Sequence, residues 1–246
     1  MIGQVRIAMW SGPRNLSTAL MRSWGNRVDT TVVDEPLYAH FLRTTGIDHP
    51  ARAAVLAAQD DDWRRVTAEL TRPVPGGHAI WYQKHMTHHV TDDVDLGWLG
   101  GLRNCFLIRA PARVIASYAR LREEPTLTDL GFLQQWRLFS HVADRGAVPP
   151  VIDADDLLRD PRAVLSALCD AVGVPFGERM LSWPPGRRVT DGPWAPHWYG
   201  SVERSTGFAP HRSHDGHVEP RFAELHAQAD AIYRRLAAHR LITVEA

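Results

Sequence analysis

Val5-Arg-Ile-Ala-Met-Trp10, running into Ser11-Gly-Pro-Arg-Asn-Leu-Ser-Thr18, is the stretch that decides the fold. A short apolar run bounded by Gly12 and Pro13 reads as a buried parallel strand, and Leu16 to Trp24 then follows with helical spacing. Strand, tight loop and helix in that order gather unpaired backbone N–H groups, and the positive end of the helix dipole, around the loop. Ser17 and Thr18 add hydroxyl donors, and Arg14 adds a planar, permanently charged fork suited to phosphate or sulfate oxygens. The loop therefore reads as an anion site. It is not a nucleoside-triphosphate loop of the usual kind, because Leu16, Ser17 and Thr18 stand where Gly-Lys-Ser/Thr would cradle the β- and γ-phosphates and seat magnesium. Lys84 is the single lysine among 28 basic residues, a bias that a GC-rich genome mostly explains but that also argues against an ATP-dependent kinase.

A second junction of the same type is Arg103-Asn-Cys-Phe-Leu-Ile-Arg109-Ala-Pro-Ala-Arg-Val-Ile-Ala-Ser117. An apolar strand ends at Arg109, and Pro111 opens a helix in the position that suits proline. With these residues in view the sequence resembles the sulfotransferase superfamily. The family's 5′-phosphosulfate loop, Pro-Lys/Arg-Ser-Gly-Ser/Thr-Thr, is matched by Pro13, Arg14, Asn15, Leu16, Ser17 and Thr18, and its Arg-x-Pro-x-x-x-x-x-Ser site for the 3′-phosphate by Arg109 through Ser117. A third match is Val151-Ile-Asp-Ala-Asp155-Asp-Leu-Leu-Arg-Asp-Pro161, followed by a helical run to Gly173. The order and separation of the three carry more weight than any one, and they cover roughly residues 5 to 176.

The resemblance implies a P-loop-like α/β fold and a co-substrate, 3′-phosphoadenosine 5′-phosphosulfate (PAPS), with no metal. Two departures stand out. Leu16 replaces a glycine, so either the loop there has an ordinary negative φ or its backbone stands further from the phosphosulfate. The usual carboxy-terminal Arg-Lys-Gly segment is absent, and Arg204-Ser-Thr-Gly-Phe208 is the candidate for its place.

The remaining elements fit the same class. Thr30 to Glu35 reads as a second strand, Gly77 to His85 as a third, Pro50 to Leu70 as helical, and Thr126 to Asp144 as an amphipathic helix whose Phe132, Leu133, Trp136 and Phe139 form a core stripe. The Asp60-Asp-Asp62 run reads as a solvated helix start. Strands alternating with helices give a single α/β domain over 1–246, with a mainly parallel sheet flanked by helices and its ligand crevice at the strands' carboxyl ends. Residues 183–217, dense in Pro, Gly, Trp and His, read either as a lid over the acceptor or adenine or as a structural wrap, and a helix over about 218–240 closes the chain.

Composition limits the partners. Basic and acidic residues balance at 28 each, so no nucleic-acid surface is implied. No apolar run is long enough for a membrane helix and no signal peptide is legible, so a cytoplasmic location is expected, with homodimerisation left open. Cys105 and Cys169 sit in apolar segments as small hydrophobes. His211, His214 and His217 lack the regular support of a zinc site.

For transfer, Arg14 is the stabiliser of charge on the leaving oxygen and His85 the expected base, with Lys84 beside it. On a regular strand Lys84 and His85 point to opposite faces, so only one meets the donor. His88 and His89 are alternate bases. Glu35, with His88, His89, Trp194, Trp198 and Tyr199, is expected to receive a small, partly apolar acceptor. A magnesium-dependent small-molecule kinase and a non-catalytic nucleotide-binding module are the competing functions.

Overall fold

In the computed structural model, which describes residues 3–120, 122–146, 148–213 and 216–242, the strands β1 (Val5–Ser11), β2 (Thr30–Asp34), β3 (Ile80–Met86), β4 (Arg103–Ile108) and β5 (Val151–Asp153) form one sheet. Their order is β2-β3-β1-β4-β5 and every pairing is parallel. Parallel neighbours need crossovers, and helices supply them: α1 (Ser17–Gly25), α2 (Tyr38–Thr45), α3 (Arg52–Ala58), α4 (Trp63–Leu70), α5 (Pro111–Tyr118), α6 (Phe132–Ala143), α7 (Ala154–Arg159) and α8 (Pro161–Ala171). The chain leaves β1 toward one edge of the sheet and leaves β3 toward the other. Their carboxyl ends therefore flank the switch point where such sheets bind ligands.

The buried strands explain the apolar runs. Along β1, Ile7 and Met9 enter one core with Leu20, Trp24, Tyr82 and Leu165, while Ala8 and Trp10 enter the other with Phe106, Ile115, Leu138 and Leu236. The expected α/β class and parallel sheet are what the chain forms, and Cys105 and Cys169 are buried, free thiols.

Some boundaries differ from expectation. The helix foreseen over Pro50 to Leu70 is two, because Gln59 is extended and Asp62 starts α4 afresh, its carboxylate accepting from the Arg64 N–H at 2.9 Å. The aspartate run is thus a helix start, as its composition suggested. The helix foreseen from Thr126 begins only at Phe132, since Gly131 has φ +72° and lies so close to Thr87 that a Cβ there would come within 2.6 Å of Oγ1. Leu133 faces outward, whereas Phe132, Trp136 and Phe139 pack inward.

The described part of the segment 183–217 is not all loop. It carries α9 (Ala195–Trp198) and α10 (Gly200–Glu203), and Ser182 bridges to Gly207. Asp191 receives the Arg22 guanidinium of α1 in two bonds of 2.5 and 2.7 Å, both side chains being buried. His214 lies outside the described residues. The final helix is α11 (Ala223–Ala237), shorter than foreseen. Among the described residues no helix is long and apolar enough to cross a membrane, and no group of side chains is arranged to hold a metal.

Candidate active site

A cavity of about 660 Å³ opens at the carboxyl ends of β1, β2 and β3. Its floor is the β1–α1 loop, where Arg14 (φ +64°) and Leu16 (φ +66°) are left-handed on either side of Asn15. Alternating backbone hand turns successive N–H groups to one side and builds an anion-binding nest. Leu16 does not take the ordinary negative φ expected as one alternative for the missing glycine: leucine adopts the left-handed conformation at a cost of roughly 1–2 kcal/mol. Strain of that kind, held beside a binding loop, is typical of functional sites. Leu16 offers α1 no side-chain cap, so the first amides of the helix remain directed to whatever occupies the loop. Gly12 admits the loop's close approach to Leu130, whose carbonyl oxygen would lie 2.6 Å from any Cβ. Asn15 is buried and donates to the Leu107 carbonyl of β4 at 3.4 Å.

The two predicted anion junctions meet in space. Arg14 Nε donates to Ser117 Oγ at 2.9 Å, and Arg109 Nη1 donates to the Arg14 carbonyl at 2.6 Å. Both arginines and Ser117 line the cavity together with Ser17 and Thr18. Burial, followed by the charge of Arg120, draws the Arg14 guanidinium below its ordinary pKa. Burial also lowers Arg109, with Asp155 opposing and Arg113 and Arg14 adding to the effect. The buried Nε of Arg109 has no hydrogen-bond partner among the described residues. Gathered cations with an unsatisfied donor fit an anion bearing more than one phosphate or sulfate group.

Strand β3 resolves the Lys84 and His85 alternative. Parallel register pairs Asp34 with Lys84 and Trp10 with His85, and paired residues share a face. Lys84 turns to the cavity, where its Nζ donates to Asp34 Oδ1 at 2.8 Å, Glu35 Oε1 at 2.5 Å and Tyr199 Oη at 2.8 Å. His85 turns to the opposite core, stacked 4.3 Å from Trp10 and beside Trp98, with Gln83 Oε1 at 3.2 Å from Nε2. The expectation that His85 is the base is therefore corrected: it does not line the cavity, and burial, with the Lys84 charge adding to it, pushes its imidazole down to about 3.

Tyr199 is the hub of the Lys84 network. Its hydroxyl donates to Asp34 Oδ2 at 2.6 Å and accepts from Lys84 and from Trp194 Nε1, the latter at 3.0 Å. Burial opposes the charge on Lys84, but Asp34 and Glu35 outweigh it and hold the ammonium's pKa well above its ordinary value. Glu35 sits just past β2 with φ +45°, its amide donating to the Lys84 carbonyl at 2.9 Å. Burial pushes its carboxyl above the ordinary glutamate range, with Lys84 opposing and Asp34 adding to the shift. Its second oxygen, Oε2, lies 3.9 Å from His89 Nδ1.

Of the residues expected to meet an acceptor, Glu35, His88, His89, Trp198 and Tyr199 line the cavity. Trp194 does not: its ring is core, edge-on to Tyr38 at 5.1 Å, and its indole N–H supports Tyr199. His89 packs on Tyr38 at 4.4 Å and on Phe41 at 4.9 Å. Burial holds His88 down to about 3 and His89 well below its ordinary value, in both cases aided by neighbouring histidines. Of the segment proposed to replace the Arg-Lys-Gly closure, Ser205, Gly207 and Phe208 line the cavity. The sequence reading missed Asp34, Tyr38 and His49. Asp34 carried a usable signal, an acid at the end of an apolar strand, whereas Tyr38 and His49 carried none.

Residues 5–238 match the family described as Sulfotransferase domain. Two Arabidopsis thaliana proteins named branched-chain-amino-acid aminotransferase-like protein 1 and 2 are 39% and 36% identical over 203 residues, which is 82% of this chain. The chain spans only 36% of the length of each. Among solved structures, the sulfotransferase domain of the Synechococcus PCC 7002 olefin synthase superposes with a TM-score of 0.59 at 21% identity, covering 98% of both chains. A sulfotransferase from Alicyclobacillus acidocaldarius gives 0.52 at 14% identity, again covering 98% of each, and these likenesses bear on the fold.

Proposed function

The chain belongs to the sulfotransferase domain family, and on that premise we propose that it transfers a sulfuryl group from PAPS to a hydroxyl or amine of a small-molecule acceptor. The observation that carries this reading is the convergence of Arg14, Ser117 and Arg109 on one another at the cavity floor. The left-handed loop and the leading amides of α1 suit a 5′-phosphosulfate, and Arg109 with Ser117 suits a 3′-phosphate.

Catalysis of such a transfer is chiefly positioning and stabilisation of the departing charge, which falls to Arg14 and the loop amides. Glu35 is the base. One of its oxygens is held by Lys84, which leaves Oε2 for the acceptor proton, and burial raises its affinity for that proton. Of Lys84 and His85, only one of which could meet the donor, Lys84 is the one on the cavity side, and its role is to orient Glu35 and Tyr199. His88 and His89, neutral and packed among aromatic rings, shape the acceptor side.

Lys84 also bears on two other readings. A kinase would need a lysine on its phosphates, and the only lysine here is bound by two carboxylates. The same bonds leave no free amine for the Schiff base of a pyridoxal-phosphate aminotransferase, so the name of the longer plant proteins is not carried to this chain.

The test is calorimetry with 3′-phosphoadenosine 5′-phosphate and adenosine 5′-monophosphate, joined to turnover of radiolabelled PAPS. A charge-assisted bond contributes roughly 1.5–3 kcal/mol. Arg109→Ala should therefore weaken the bisphosphate roughly tenfold to hundredfold and leave the monophosphate nearly unchanged. Equal wild-type affinity for the two nucleotides, or equal losses in the variant, would overturn the proposed donor.

A further inference from the structure

Charge is divided along the cavity. At the loop end Arg14 and Arg109 face inward, and a donor carrying several phosphate and sulfate oxygens would occupy both. Among the described residues the other end has no comparable supply. Lys84 is shared by Asp34 and Glu35, so that buried group holds two carboxylates against one ammonium. Arg122 lines this end too, but its guanidinium is bound to Asp129 at 2.9 Å. Asp48 stands exposed at the rim, and no ion pair engages it among the described residues. His49, whose Nδ1 lies 3.0 Å from the Tyr38 hydroxyl, is lowered by burial and by Arg122, and is neutral at neutral pH like His88 and His89.

Resting on the sulfotransferase reading, we propose that the acceptor is a small molecule with one ring-sized apolar body that carries a protonated amine and no anionic group. Tyr38, Trp198 and Phe208 line the same cavity, and aromatic rings beside fixed carboxylates are a favourable setting for an ammonium. Glu35 is committed to proton removal, so Asp48 at the rim is the carboxylate left to pair with it. A carboxylate or phosphate on the acceptor would lose its water against Glu35, and the described cations at this end, Lys84 and Arg122, are each already paired with a carboxylate.

Three probes of similar shape separate the charge states: 2-phenylethylamine, 2-phenylethanol and 3-phenylpropionate, titrated calorimetrically into the protein with and without saturating 3′-phosphoadenosine 5′-phosphate. The amine should bind at least about tenfold more tightly than the propionate, with the alcohol between them. Asp48→Asn, an exposed substitution, should cut that ratio to about threefold while leaving nucleotide affinity unchanged. Propionate binding as well as the amine, an amine that does not bind at millimolar concentration, or a ratio indifferent to Asp48→Asn would each overturn the proposal. Absent nucleotide binding would instead overturn the donor reading, and the titrations without nucleotide would still report the charge preference.

Discussion

Replacing Tyr199 with phenylalanine removes one oxygen from a site where three buried groups depend on it. Lys84 loses an acceptor at 2.8 Å, Trp194 Nε1 its acceptor at 3.0 Å, and Asp34 a donor at 2.6 Å. A buried polar group left short of a partner costs about 1–3 kcal/mol, and more when charged. Lys84 and Asp34 keep each other, which blunts their share, whereas the indole N–H keeps nothing. The sum is about 3 kcal/mol. For a chain of this size each kcal/mol moves the midpoint by roughly 2–4 °C, so Tyr199→Phe should melt about 6–12 °C below wild type. Scanning calorimetry at neutral pH measures it, and urea unfolding with an unchanged slope would show that stability alone has moved. Trp194→Phe made alone and in combination should reveal a coupling of about 1 kcal/mol, because the two changes share one hydrogen bond. A Tyr199→Phe midpoint within about 2 °C of wild type would refute the reasoning, since it would mean that the hydroxyl satisfies none of its three neighbours.

Three further outcomes follow from the site. Glu35→Gln should lower kcat by about 100- to 10,000-fold with donor affinity retained. Because the wild-type carboxyl is raised above 4.5 and must be ionised to accept a proton, kcat/KM should rise with pH through a point above 4.5, a limb that disappears in the variant; a limb that survives would assign the base elsewhere. His85→Ala should lose stability, of order 2–4 kcal/mol through the vacated stack on Trp10, yet keep turnover per folded molecule; loss of turnover at full folding would restore His85 to the chemistry. Gly12→Ala should weaken the nucleotide at least about tenfold, because the new methyl must displace either the loop or the Leu130 carbonyl; unchanged affinity in calorimetry would show the loop to be more pliant than its packing implies.

The strand-loop-helix starts were legible because their signals are local: an apolar run, a breaker and a hydroxyl-rich turn at β1, and a proline at the first position of α5. Arg14 and Arg109 were legible at strand ends, whereas the bond from Arg14 to Ser117, in the last turn of α5, depends on how that helix packs against the loop. On β3, alternation showed that Lys84 and His85 part company, but period alone does not say which face turns to the crevice. That depends on the order β2-β3-β1, which brings Asp34 into register with Lys84. The aromatic-rich segment offered no period at all, so Trp194 could not be told from Trp198 and Tyr199 by spacing. Leu16 had two consistent backbone answers, and side-chain chemistry does not choose between them.

A chain with a single lysine, sequestered as Lys84 is, carries its own chemical reporter. Acylating reagents attack only a neutral amine that solvent can reach, and here the ammonium is enclosed, charged and clamped by two acids and a phenol. Side-chain acylation in the native protein requires openings that free Lys84 from Asp34, Glu35 and Tyr199. Its rate, followed by the mass of one peptide, becomes a clock for those openings, one that a ligand seated in the cavity would slow in proportion to its occupancy.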